Sequence, residues 1–126
     1  MDNLSVLVLG GSVSGGGGVN HLNLTWHALL GVQPTVRFKN AIDPSYYLHC
    51  TRRFVDRAYD VVVFDLGANM FSSASGDALE ALVQRVRCLT NATSTAVIDW
   101  HGAMHNNASR VAAAHTNATL LDMPRQ

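Results

Sequence analysis

Lysine is almost missing from this chain. Of nine basic residues only Lys39 is a lysine, and nine acidic residues bring the net charge to zero. Such a balance builds no electropositive field, which argues against nucleic acid or an anionic membrane surface as partner. Long apolar runs are missing too. The run that begins at Leu4 stops in glycine after about six residues, too short for a spanning helix or a complete signal peptide, so the chain as given reads as soluble. Cysteine is scarce. Cys50 and Cys88 fall near the start of one helical pattern and the end of the next, farther apart than the ~7 Å Cα limit of a disulfide, and read as two free, mostly buried thiols. No Cys/His cluster has zinc-ligand spacing, so neither a metal nor a cofactor is expected.

What is present is 48% hydrophobic residues in 126, enough for the core of a single domain spanning 1–126. Glycine is abundant and concentrated. The stretch VLVLGGSVSGGGGVN, residues 6–20, carries six of the ten glycines. Five N-x-[ST] sequons, at Asn3, Asn23, Asn91, Asn107 and Asn117, lean toward a secretory or extracellular history and a glycoprotein.

Along the chain, strand and helix patterns alternate. Leu4 to Leu9 is a continuous apolar run, as expected of a strand buried on both faces, and Val19, Leu22, Trp26, Leu29 and Leu30 follow on one helical face. Thr35 to Lys39 turns Val36 and Phe38 inward and Arg37 and Lys39 outward, the pattern of an edge strand. Ser45 to Ala58 has helical spacing, and Val61 to Leu66 is a second fully apolar strand. A helix capped by Ser75 or Asp77 carries the stripe Leu79, Leu82, Val83, Val86 and Leu89. Ala96 to Trp100 is a fourth strand. Met104, Ala108, Val111, Ala112 and His115 mark a further helix, and Thr119 to Met123 a fifth strand.

Strict alternation with right-handed crossovers predicts an α/β fold: a three-layer, doubly wound parallel sheet of the flavodoxin-like kind, strand order 2-1-3-4-5. Ligands of such sheets bind beyond the carboxyl ends of the strands at the switch point, here between strands one and three. The loops at that crevice are Gly10 to Gly18 and Gly67 to Ser75. The first is no P-loop, since it lacks lysine, and no dinucleotide fingerprint, since Ser12 stands at the second glycine position of G-x-G-x-x-G.

The two stretches VLGGSVSGG and DVVVFDLGANM resemble the SGNH (GDSL-type) serine esterases and lipases. Gly10, Gly11, Ser12 and Gly16 match the G-D-S-x-x-x-G block after strand one, and Gly67, Ala68, Asn69 and Met70 match the G-x-N-D block after strand three. The resemblance spans nearly the whole chain with two of the family's four blocks. It implies Ser12 as nucleophile and an oxyanion hole made by the Ser12 N–H, a glycine N–H of the second block and the Asn69 carboxamide. A small carboxylic ester is the implied substrate, acetyl or short acyl, including acyl groups on a glycan.

The departures are specific. Gly11 and Met70 replace the aspartates of the first and third blocks. In the second block Asp43-Pro44-Ser45 stands where glycine belongs; proline has no N–H, and a one-residue register shift makes the Ser45 N–H the oxyanion donor. The family's D-x-x-H block is absent. Asp122 with Arg125 has its spacing, but arginine cannot act as a base. His101, beside Asp99, is the local substitute, two strands or roughly 9.6 Å from strand one where proton transfer wants about 3 Å. The other histidines read as surface residues. The expectation is therefore a C-terminally incomplete or divergent esterase-like domain with little turnover, whose first and third strands expose apolar atoms for want of a closing helix. The competing reading is a non-catalytic module that holds a small anionic or nucleotide-like ligand at the same loop.

Overall fold

The computed structural model describes residues 4–16, 25–29, 31, 33–70, 72, 74–100 and 106–123. Five strands form one parallel sheet in the order β2-β1-β3-β4-β5: β1 Val6–Gly10, β2 Thr35–Phe38, β3 Val61–Asp65, β4 Ser94–Trp100 and β5 Thr119–Met123. Between them run α1 Trp26–Leu29, α2 Pro44–His49, α3 Thr51–Phe54, α4 Ala74–Thr90 and α5 Asn106–Thr116. This is the α/β fold and the strand order that the alternation predicts. The first crossover runs one way along the sheet and the others run back, so right-handedness puts α1 on one face and α2, α4 and α5 on the other.

The larger core lies under α2, α4 and α5. Leu7, Leu9, Val62, Phe64 and Val97 meet Tyr47, Leu79, Leu82, Val83, Val86, Ala112 and Ala113 there. The opposite face is smaller: Val8, Val63, Ala96 and Ile98 lie beneath Trp26, Trp100 and Met123. The expected exposure of β1 and β3 is not found, since Val8 and Val63 are only 1% and 8% exposed. The two indoles supply cover that a count of helices does not anticipate.

Several local expectations change. β1 starts at Val6, because the Ser5 N–H and hydroxyl both turn to the Asp60 carboxylate at 2.8 Å, leaving Leu4 exposed. The helix expected over Ser45 to Ala58 is two short helices. Asp43 caps the first through the Ser45 N–H, and the chain breaks at Cys50, where the next residue, Thr51, turns its hydroxyl back to the Tyr47 and Leu48 carbonyls. α4 starts at Ala74, one residue before Ser75, whose hydroxyl is directed to Asp43.

Phe38 is exposed rather than inward, and Leu89 and Val111 are exposed too. α5 instead buries Ser109, Ala112, Ala113 and Thr116, small residues that let it close on the sheet and on Gly76 of α4. Both cysteines are free, but Cys88 is exposed rather than buried.

Three sequon asparagines fall on described residues, and Asn91, Asn107 and Asn117 are all exposed. Asn91 and Asn117 follow the last turns of α4 and α5 with φ of 54° and 55°, the left-handed cap conformation that asparagine tolerates. The fold thus has its own use for asparagine at both positions. Asn3 and Asn23 lie outside the described residues.

Candidate active site

β1 and β3 are neighbours in parallel register, with Gly10 opposite Asp65 at their carboxyl ends. The loops that leave these two residues start at the same level. From Gly10 the chain turns sharply: the Gly15 N–H reaches the Ser12 carbonyl at 3.1 Å, the Gly16 N–H reaches Val13 at 3.1 Å, and Gly16 takes φ +95°. Ser12 stands in this elbow, half-buried. Its N–H and its hydroxyl make no hydrogen bond among the described residues.

From Asp65 the chain enters a 3₁₀ turn, Gly67–Asn69. Asn69 is buried, with its carboxamide laid against Gly11. A Cβ at Gly11 would collide with the Asn69 amide nitrogen and stand 3.1 Å from its Cγ. The side chain does not cap its own turn, and it makes no hydrogen bond among the described residues. Met70 is 1% exposed in the main core, where the Ser109 hydroxyl donates to its sulfur at 3.2 Å. An apolar side chain buried at this depth does not serve the crevice.

Ser45, the candidate backbone donor, gives its N–H to Asp43 Oδ1 at 2.9 Å as part of the helix cap. The other Asp43 carboxylate oxygen accepts from Ser75, so the loop after β2 is tied to the start of α4. His101 lies outside the described residues. Its candidate acid, Asp99, is buried and faces away from the smaller core, with the Arg110 guanidinium 2.9 Å from its carboxylate.

The structure adds residues that the sequence reading passed over. Asp65, 2% exposed, accepts from the Ser14 hydroxyl and from two indoles, Trp26 Nε1 at 2.9 Å and Trp100 Nε1 at 2.6 Å. The available signal was a lone carboxylate ending an apolar strand in VVVFDL. Gly10 makes the contact possible, because a Cβ there would collide with the Ser14 side chain. Phe38 covers Gly15 in the same way. His27 reaches the elbow as well, with Nε2 2.9 Å from the Ser14 carbonyl.

Tyr47 ties the floor together. Its hydroxyl donates to the Gly10 carbonyl at 2.7 Å, within 3.1 Å of the Arg37 carbonyl. Burial pushes this phenol well above its ordinary range, so it remains a donor.

Among the described residues no group of three or more His, Cys, Asp or Glu could hold a metal ion. Likewise no helix among them is long and apolar enough to cross a membrane.

The five-stranded parallel sheet of order β2-β1-β3-β4-β5 is similar in fold to solved structures described as lipolytic proteins. One neighbour is described as a possible lipase from Chitinophaga pinensis DSM 2588, with a TM-score of 0.70 and 11% identity over 98% of this chain and 68% of that one. Another, a candidate lipolytic protein of the G-D-S-L family from Desulfitobacterium hafniense DCB-2, has a TM-score of 0.58 and 15% identity over 94% of this chain and 77% of that one. No family profile matches the chain, and no curated protein does. The similarity is one of fold, carried by structure alone.

Proposed function

We propose that this domain is built for acyl transfer from small carboxylic esters, acetyl or short acyl, including esters on a glycan, with Ser12 as nucleophile. The observation that carries the reading is the Asn69 carboxamide against Gly11, one residue from Ser12, with its donor uncommitted among the described residues. An uncommitted amide beside a serine is what an oxyanion requires, since charge that develops on the carbonyl oxygen needs preorganised donors. The Ser12 N–H is the second such donor. Ser45 contributes once its N–H leaves Asp43, which is why the reading rests on two donors rather than three.

A serine hydroxyl still needs a base to take its proton. His101 is the base candidate from the sequence, and His27 is the histidine seen at the elbow. The lipolytic descriptions of the two structural neighbours agree with an ester substrate.

The test is hydrolysis of an aryl acetate by the chain and by Ser12→Ala, Asn69→Ala, His101→Ala and His27→Ala. Slow turnover through Ser12 is expected, and Ser12→Ala and Asn69→Ala should each lower it. Turnover unchanged by Ser12→Ala would overturn the reading.

A further inference from the structure

We infer that Asp65 is the positioning residue of this site: through one buried carboxylate it fixes the serine elbow and the two segments that flank it. The inference rests on the acyl-transfer reading for its consequence, though not for its geometry.

Both tryptophans of the chain donate their indole N–H to Asp65. Trp26 belongs to α1, which follows the elbow; Trp100 ends β4, directly before His101. The third donor is the Ser14 hydroxyl, two residues beyond Ser12, and it shares Oδ2 with Trp26 while Trp100 takes Oδ1. The backbone repeats the tie, since the Gly11 N–H donates to the Asp65 carbonyl at 3.1 Å. The Ser14 carbonyl also accepts from His27 at 2.9 Å.

A buried carboxylate needs such donors, and a carboxylate is the group that can accept all of them. A carboxamide cannot. It has one accepting oxygen, and its NH2 would face at least one indole or hydroxyl donor. Apolar packing alone would require none of this. A core that wanted only to cover Val8 and Ile98 needs the indole faces, not a carboxylate gathering their N–H groups.

Asp65→Asn and Ser14→Ala separate the possibilities. Ser14→Ala cuts only the elbow's bond and leaves both indoles on the carboxylate, so it serves even where Asp65→Asn fails to fold. Two readouts are taken: the indole and Gly11 to Gly16 amide proton resonances, and the rate at which a fluorophosphonate labels Ser12. Asp65→Asn should move both indole resonances together and displace the elbow amides. Ser14→Ala should displace the elbow amides while the indole resonances stay paired. Both substitutions should slow labelling by roughly 10–10²-fold, the cost of a small misplacement of a reacting group. Native labelling rates in both folded variants, with elbow amides unmoved, would overturn the inference. A native chain that is never labelled counts against the acyl-transfer reading instead, and the amide resonances then decide the role of Asp65.

Discussion

The Asn69 carboxamide occupies the space into which any side chain at Gly11 would project. No side chain fits at Gly11 while Asn69 stays in place. Gly11→Asp should therefore damage the protein. Overpacking of this kind costs about 1–3 kcal/mol. Denaturant titration should show that loss, and Gly11→Ala should show a smaller one. A Gly11→Asp protein as stable as the native chain would mean that Asn69 rotates away freely.

Arg110 bridges carboxylates from two adjacent strands, Asp99 at 2.9 Å and Asp122 at 3.3 Å, which face each other across the β4–β5 register. Asp99 is 1% exposed and Arg110 is its ion partner. Removing the guanidinium leaves a buried charge uncompensated, at about 3–5 kcal/mol for a fully buried pair and less here because Arg110 is partly solvated. Arg110→Ala should thus lower the melting temperature strongly, and adding Asp99→Asn should recover part of the loss. An Arg110→Ala protein that melts with the native chain would contradict this.

Acid stability should depend on Asp60. Hydrogen bonds from the Ser5 backbone N–H first and its hydroxyl second hold this carboxyl below the usual range. A group depressed in the folded state contributes stability above its unfolded value, about pH 4, and that contribution is lost as pH falls through the folded value. Melting temperature measured from pH 6 down to pH 2 should fall less steeply in Asp60→Asn than in the native chain. Parallel curves would remove Asp60 from the acid response.

The strand order was legible in the sequence because buried parallel strands read as apolar runs and a wetter edge strand alternates. VVVFD and TVRF show the two patterns side by side. The placement of Ser12 and Asn69 in the loops after β1 and β3 was legible through the glycines around them. Asp65 was not, because its meaning depends on Trp26 and Trp100, 39 and 35 residues away, converging on one carboxylate. Helix phase failed where propensity gave way to packing: α5 turns small residues inward so that Ala108 can approach Gly76, and Val111 is left outside. The break at Cys50 was hidden for a similar reason, since the Thr51 hydroxyl competes for helix carbonyls without any proline or glycine to mark the spot.

The most direct test of the account is covalent trapping. The native chain is incubated with a fluorophosphonate and the adduct is located by peptide mass mapping. One phosphonyl group should appear on the peptide that carries Ser12. It should be absent in Ser12→Ala and form roughly 10²–10³-fold more slowly in Asn69→Ala, the usual cost of losing one oxyanion donor. No adduct on the native chain, or an adduct that persists in Ser12→Ala, would contradict the assignment of this elbow as the site of acyl transfer.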